Sequence, residues 1–358
     1  MTETDAPEEP AAAPSLTLPA TTVPDPAAAP GLRWGVISPG HIADQFTATA
    51  HRATASRVVS VVSRSLDRAE AFAAKHGIER AFDSVEEMLA AGGLDAVYIA
   101  SPHAQHHALT LPVLEAGVPV LVEKAFTLNV PQARELLDLA RERGVFAMEA
   151  MWARFLPQYD VLQQVISSGL LGEIIEVTAD HGQTFPADPS HRMYAPELGG
   201  GALLDLGVYP LSFAQMVLGD LSDLTVRGDL TETGVDAYVA LLARGAGGGR
   251  ARLSSTLLAR TPTEAVVSGT AGSARLSGPF FAPSTLTVSL HDGRSAVFAH
   301  PGASGDGMAY EIAESARRIT AGELESPLMS WQDTLSVMGT MDAVRAELGV
   351  VYPGEESA

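Results

Sequence analysis

The stretch Leu32-Arg33-Trp34-Gly35-Val36-Ile37-Ser38-Pro39-Gly40-His41-Ile42-Ala43 decides the fold. An apolar run from Leu32 to Ile37 passes through three small residues into a helical pattern that starts at Ile42. A strand that turns this tightly into a helix opens a βαβ unit, and it leaves the free N–H groups of the helix at the strand's carboxyl end, where a phosphate can meet them. As a Gly-x-Gly-x-x-Gly motif it is degraded, with Ser38 in place of the first glycine and Ala43 in place of the last. Its position between strand and helix therefore carries more weight than its letters.

The same alternation continues outward. Arg57 to Val62 reads as a strand and Asp67 to His76 as a helix opened by an acid; Ser84 caps another helix, with Glu87 three residues on. Asp95 to Ala100 is a strand, Ala104 to Ala116 a helix ending at Gly117, and Val118 to Val122 a strand. Val130 to Arg143 is an amphipathic helix closed by Gly144, and Val145 to Met148 completes a six-strand pattern. Residues 31–150 are thus expected to form a Rossmann domain, a doubly wound parallel sheet. After a helix at Asp160 to Ser168, the strands alternate polar and apolar residues: Ile174 to His181, Asp236 to Leu242, Ala251 to Leu257 and Thr285 to Leu290. Helices at Gly201 to Val217, Met308 to Thr320 and Trp331 to Leu348 interrupt them. Residues 151–358 are expected to form an α/β domain with an open, mostly antiparallel sheet, the α+β half of the chain, for substrate binding and oligomerisation.

Composition narrows the function. The 358 residues favour two domains, and 23 basic against 43 acidic side chains give a net charge of −20, which offers no footprint for nucleic acid or an anionic membrane. No cysteine is present, so thiol nucleophiles, zinc ribbons and disulfide scaffolds are excluded, and a cytoplasmic setting fits. No uninterrupted apolar run reaches the roughly 18 residues of a membrane span, and no export signal is legible. Residues 1–30 carry seven prolines, eight alanines, five acids and no base, and are expected to be a disordered, dispensable tail.

Candidate site residues gather where the parallel strands end. Ser38, Gly40, His41 and Ile42 form the phosphate turn. At the tip of the second strand stands Ser63-Arg64-Ser65, with Arg68 one turn on and no acid, which favours the 2′-phosphate of NADP(H) over the ribose hydroxyl of NAD(H), though NAD(H) stays open. Ser101-Pro102-His103-Ala104-Gln105-His106 follows the fourth strand. Its histidines lack a carboxylate at ligand spacing, so Ser101, His103 and His106 are read as cofactor-side residues and no metal is expected. Glu123-Lys124 ends the fifth strand and directs an ammonium into the crevice. Gly199-Gly200-Gly201 leads into a helix that carries Asp205 and Tyr209 on one face. A lysine close to that tyrosine would lower its pKa. Trp152, Arg154, His181 and Phe185 are candidate substrate contacts, with plain packing as the alternative.

With these residues in place, the chain resembles the glucose-fructose oxidoreductase, inositol dehydrogenase and MocA-type (Gfo/Idh/MocA) family over nearly all of residues 31 to 352. The resemblance rests on Arg33-Trp34-Gly35 with Ser38, Gly40 and Ala43, on Ser101-Pro102 with His106, on Glu123-Lys124, and on Gly200-Gly201 leading to Asp205 and Tyr209. Met148 to Pro157, Ser63-Arg64, Glu232 to Asp236 and Val267 to Thr270 place it nearest the dimeric dihydrodiol dehydrogenase and NADP-dependent D-xylose dehydrogenase branch. The resemblance implies a nicotinamide cofactor across the first domain, a sugar-like substrate between the two, and Lys124 with Tyr209 as the catalytic pair. It differs at Ala125, where the family usually has a proline after Glu-Lys. The expected activity is hydride transfer between NADP(H) and a sugar, polyol or cyclic diol, with Tyr209 exchanging the proton, Lys124 stabilising oxygen charge and Asp205 orienting one of them. A homodimer or dimer of dimers is expected. A cofactor-binding sensor without turnover and an NAD-dependent glycosidase on the same scaffold remain alternatives.

Overall fold

A computed structural model describes residues 15–302 and 306–355. Six parallel strands, β1 (Arg33–Ile37), β2 (Arg57–Val62), β3 (Arg80–Phe82), β4 (Ala96–Ile99), β5 (Val120–Glu123) and β6 (Ala147–Ala150), lie in the order β3-β2-β1-β4-β5-β6. β1, β2, β4, β5 and β6 are buried along nearly their whole length, with Val, Ile, Leu and Ala as most of their residues, because both faces of the sheet are covered. Between them run α1 (His41–Ala53), α2 (Leu66–His76), α3 (Val85–Ala91), α4 (His103–Glu115) and α5 (Val130–Arg143). Their ends are cut where the sequence places caps: Ser65, Ser84 and Asn129 accept from backbone N–H groups at the starts of α2, α3 and α5, and Gly77 and Gly144 close α2 and α5 in the left-handed region. The strand order reverses between β1 and β4, which opens a crevice at their carboxyl ends.

After α6 (Pro157–Ser167) comes an eight-stranded sheet. It comprises β7 (Ile174–Gly182), β8 (Leu221–Leu230), β9 (Asp236–Gly245), β10 (Arg250–Thr256), β11 (Ala265–Gly269), β12 (Gly272–Leu276), β13 (Thr285–Leu290) and β14 (Ser295–Ala299). The order is β14-β13-β12-β11-β7-β10-β9-β8, antiparallel throughout except where β10 runs beside β7. Val177, Val239, Leu241, Ala251, Leu253, Ala265 and Val267 fill the buried face, while Thr178, Tyr238, Leu242 and Arg252 line the other. On the buried side lie α7 (Val208–Leu218) and α9 (Trp331–Leu348). The stretch Pro196–Leu218 has the length and mean hydropathy of a membrane span, yet 89% of its apolar window is buried inside the protein, as in a core helix.

Two regions depart from expectation. The tail is ordered where it is described: Thr21 and Thr22 donate their hydroxyls, and Thr22 its N–H, to the Asp160 carboxylate at 2.9, 2.9 and 2.6 Å. Gln164 donates to Ala20 O and Arg317 to Asp25 O, while Leu16 and Leu18 pack on the core. Apart from a single 3-10 turn at Pro26–Ala28, the proline-rich segment forms no helix or strand, and side chains of neighbouring helices bond its carbonyls. Residues 1–14 lie outside the described residues. The carboxyl-terminal helices also return to the first sheet: α8 (Met308–Ala321) packs on α1, and Trp331 donates its indole N–H to Ala147 O of β6 at 2.8 Å.

Candidate active site

The crevice edge brings the expected cofactor residues together. Ser38 adopts a left-handed φ of 71°, the conformation for which glycine is the usual choice, and its N–H reaches back to Val62 O. Gly40 precedes α1 without a side-chain cap, and a Cβ added there would meet only Ser38 O at 4.0 Å, so backbone can approach a ligand. His41 and Ile42 form the first turn of α1. A shallow groove of about 480 Å³ runs from Pro39, Gly40, His41 and Asp44 to Arg68 and Lys75 on α2, with Lys75 paired to Asp44. Ser63 is buried at the tip of β2, and Arg64 and Arg68 are exposed beside it. The Ser101 hydroxyl, at the end of β4, is buried without a protein partner. An uncapped helix end, an open glycine, a groove that ends at Arg68 and an orphaned hydroxyl along one edge suit a dinucleotide.

The histidines of the β4 loop are committed to backbone. His106 has its Nδ1 2.9 Å from Ala125 O and its Nε2 2.8 Å from Ser101 O, tying the two loops together. His103 spans Gly199 O at 2.9 Å and Lys124 O at 3.2 Å, and burial depresses its pKa to about 3. It is neutral at physiological pH, so its single N–H serves one carbonyl at a time, Gly199 O being the nearer.

Lys124 follows β5, where Tyr98 donates its hydroxyl to the buried Glu123, and the Lys124–Ala125 peptide is cis. The Lys124 ammonium donates to the Asp205 carboxylate at 2.9 Å and to the Asp205 carbonyl at 2.8 Å, and lies 5.0 Å from the centre of the Tyr209 ring. Arg192 holds the other Asp205 carboxylate oxygen at 3.0 Å. Burial disfavours the charged forms of both Lys124 and Asp205. Their mutual attraction outweighs it, aided by Arg192 on one side and by Tyr209 and Glu123 on the other, so Lys124 is held above the usual lysine range and Asp205 well below the usual carboxylate range.

A local irregularity exposes the groups that Lys124 grips. Leu203–Gly207 is a π turn that runs into α7, and Pro210, with no N–H, can donate neither to Leu206 O four residues back nor to Asp205 O five back. Lys124 takes the Asp205 carbonyl, and His181 Nδ1 lies 3.2 Å from the Leu206 carbonyl. Gln183 Nε2 approaches His181 Nε2 at 2.9 Å, which fits a neutral imidazole donating through Nδ1. Burial keeps it neutral, with a pKa near 4.

Tyr209 stacks on Phe281 at 4.3 Å and accepts the Trp152 indole N–H at 3.0 Å. The expected lowering of its pKa does not prevail: burial pushes it up to about 12, although Lys124 and the Trp152 hydrogen bond pull downward. Lys124 spends most of its charge on Asp205, which explains why burial wins. Tyr209 is therefore a phenol at neutral pH.

The four candidate substrate contacts separate. Trp152 reaches Tyr209 as described, and His181 packs against the Tyr209 and Phe281 rings at 5.5 and 4.6 Å. Arg154 is turned away from a substrate role: it is buried, with its Nε donating to Ser212 Oγ and its Nη2 to Ser212 O and Gln215 Oε1 on α7. Phe185 lies against His191 and Tyr194 in a small second cluster. Sequence reading missed Arg192 and Phe281, which lie in loops without periodicity, and Gln183 just beyond β7. Pro210, one residue after Tyr209, was the legible sign of the irregular turn.

A parallel sheet with its order reversed at β1 and β4, and a lysine–aspartate–tyrosine cluster at its carboxyl edge, define a nicotinamide-dependent oxidoreductase. A family model described as "Oxidoreductase family, NAD-binding Rossmann fold" matches residues 32–151, and that of the Gfo/Idh/MocA C-terminal domain matches residues 159–275. The chain belongs to the Gfo/Idh/MocA family. It is 34% identical over 332 residues to the trans-1,2-dihydrobenzene-1,2-diol dehydrogenase of Xenopus tropicalis, covering 90% of this chain and 99% of that one. The Homo sapiens enzyme of the same name is also 34% identical, with 91% and 99% covered. Among solved structures, a 3-ketoreductase from Actinomadura kijaniata, in complex with NADP and TDP-benzene, superposes with a TM-score of 0.76 at 28% identity over 88% of this chain and 97% of that one. A levoglucosan dehydrogenase superposes at 0.80 with 20% identity over 91% and 100%, a likeness of fold.

Proposed function

We propose that the protein is an NADP(H)-dependent oxidoreductase that interconverts an alcohol and a carbonyl on a sugar, polyol or cyclic diol, as a cytoplasmic homodimer or dimer of dimers. The observation that carries this reading is the Lys124 ammonium held between the Asp205 carboxylate and the Tyr209 ring at the carboxyl edge of the parallel sheet. Ser38, Gly40, His41, Ile42, Ser101 and Lys124 would hold the dinucleotide, and Ser63, Arg64 and Arg68 its 2′-phosphate, while His103, His106 and Glu123, whose polar atoms are taken up by Gly199, Lys124, Ala125, Ser101 and Tyr98, would shape the cofactor side of the crevice from behind. When bound, the nicotinamide supplies or accepts the hydride.

The protein handles the oxygen. Tyr209, a phenol in the resting site, donates its proton to the substrate oxygen as a carbonyl is reduced and takes it back when an alcohol is oxidised. Lys124 stabilises negative charge on that oxygen and on the phenolate left behind. Asp205 fixes the ammonium, and the Trp152 N–H occupies one lone pair of the Tyr209 oxygen, which orients the phenolic proton elsewhere. The dihydrodiol dehydrogenases and the 3-ketoreductase to which the chain is similar support the substrate class.

The test is a panel of aldoses, inositol-like polyols and trans-dihydrodiols offered with NADP or NAD, read as nicotinamide absorbance. Reduction of the cofactor by at least one member supports the reading. Cofactor binding with no turnover across the panel points to a sensor, and release of free sugar without net reduction points to a glycosidase; either overturns it.

A further inference from the structure

The helix that carries Asp205 and Tyr209 has no cap of its own, yet its amino end is deeply buried. The missing acceptor comes from Asp236, the first residue of β9, which is fully buried and takes the Leu203 N–H at 2.6 Å through Oδ2. Its Oδ1 has no hydrogen-bond partner. Gly201, at φ 119°, lies so close that a Cβ there would collide with the Asp236 carboxylate. The glycine run is pinned one residue at a time: Gly199 O by His103, Gly200 O by the Tyr352 hydroxyl at 2.6 Å, and Gly201 against Asp236.

We propose that Asp236 is a positioning residue for the reaction: as an ionised acceptor at the amino end of the Leu203–Leu218 helix, it fixes where Asp205 and Tyr209 stand against Lys124. The proposal rests on the assignment of Lys124 and Tyr209 as the reacting pair. A carboxylate at this end satisfies orphan N–H groups and opposes the positive end of the helix dipole, which no neutral side chain does equally. Leu203 is two residues from Asp205, whose carbonyl and carboxylate both hold Lys124, so a shift of the first turn is carried directly to the ammonium.

The charged and titratable groups facing Asp236 are Tyr352 and Arg345, the latter paired with Glu355 and Asp342. Burial raises the Asp236 pKa to about 6, against the Leu203 and Ala202 N–H groups and the Arg345 charge, which favour ionisation. Protonation below that value removes the charge from the helix end.

The experiment follows kcat, the KM for NADP and the primary deuterium isotope effect from pH 5 to 8, in wild type and Asp236→Asn, with a substrate from the panel. The expected result is an acid limb near pH 6 in wild type. In Asp236→Asn the limb is absent, kcat at pH 8 falls about tenfold, the isotope effect increases and the KM for NADP is unchanged. Full kcat with the limb retained in Asp236→Asn overturns the proposal. If that variant does not fold, the wild-type profile decides: a flat kcat from pH 5 to 8 overturns it, and a limb near pH 6 that survives Glu149→Gln, which removes the buried β6 carboxyl that burial raises to about 7, supports it. Retained turnover in Lys124→Ala and Tyr209→Phe would instead overturn the site assignment beneath it.

Discussion

Asp205 holds Lys124 at two points, through a carboxylate oxygen at 2.9 Å and through its own backbone carbonyl at 2.8 Å. Asp205→Asn keeps the second contact and removes the charge of the first, leaving a buried ammonium with a weaker partner. Turnover is expected to fall roughly 10- to 100-fold, while Lys124→Ala, which removes the charge proposed to stabilise the reacting oxygen, is expected to lose roughly two to four orders of magnitude. The sign of the stability effect is also fixed. Because folding depresses the Asp205 pKa, its contribution is present above the ordinary value of 3.8 and is lost as pH falls below it. The melting-temperature gap between wild type and Asp205→Asn should therefore be widest at neutral pH and close in acid.

Tyr209, with its pKa pushed up to about 12, stays protonated across the neutral range. Carbonyl reduction, which consumes that proton, is expected to hold a level kcat from pH 7 to 10. Alcohol oxidation, which needs the proton removed, should rise with pH over the same range. Tyr209→Phe should lower both directions by roughly two to four orders of magnitude, the range for a lost acid–base group. Stopped-flow absorbance in each direction checks this; a reductive kcat that falls with a midpoint near pH 8 would show that the phenol titrates far lower.

Local rules made most of the first sheet legible. The helix Val130–Arg143, with its Asn129 cap and Gly144 stop, and the strand Arg57–Val62 have the bounds that capping and apolar runs predict. Lys124, Asp205 and Tyr209 were legible because strand ends and i,i+4 spacing fix direction before any tertiary contact exists. Strand β3 was not, since Arg80–Phe82 is three half-buried residues whose strand character comes from pairing with β2. Equally hidden was the fate of Arg154, because its burial depends on Ser212 and Gln215, some sixty positions away. The Tyr209 pKa was misjudged for a related reason: the sequence showed the lysine but not the burial that opposes it.

Cofactor choice depends on the tip of β2. Arg64 and Arg68 are exposed there and no acid stands at the strand end, so in the proposed reading a 2′-phosphate would gain charge-assisted contacts that NAD lacks. Wild type should use NADP with higher kcat/KM and retain weak activity with NAD. Arg64→Asp should reverse the order, because a carboxylate repels the phosphate and accepts from ribose hydroxyls. Titration of both cofactors against both proteins decides it, and equal efficiency with NAD in wild type would refute the role of Arg64.

The outer face of the eight-stranded sheet carries a cavity of about 540 Å³ lined by Thr178, Arg227, Tyr238, Leu242, Arg252 and Val266, with Leu242 53% exposed. Apolar side chains on an uncovered sheet face are expected to meet a second copy of the same face. Light scattering at micromolar protein should give a dimer or tetramer mass, and Leu242→Glu should shift it toward the monomer. A monomeric, fully active wild type would remove the reason for this face.

The amino-terminal strap makes a different claim on stability. Asp160 accepts from Thr21 and twice from Thr22, Arg317 donates to Asp25 O, and Leu16 and Leu18 rest on the core, so residues 15–30 join α6 to α8. Hydrogen bonds to a charged group contribute about 1.5–3 kcal/mol each when well made, less where, as at Thr22, the contact is exposed to water. Each kcal/mol shifts the melting temperature of a domain of this size by roughly 2–4 °C. By its composition of proline, alanine and acids the segment 1–14 should be removable without change in melting temperature, whereas deletion of residues 1–30 should lower it by several degrees. Asp160→Ala should reproduce part of that loss without shortening the chain. Lys124 and Tyr209 lie on other elements, so kcat measured well below the new melting temperature should stay within about twofold of wild type. Equal melting temperatures for the two truncations would show that the strap's contacts contribute nothing to the fold.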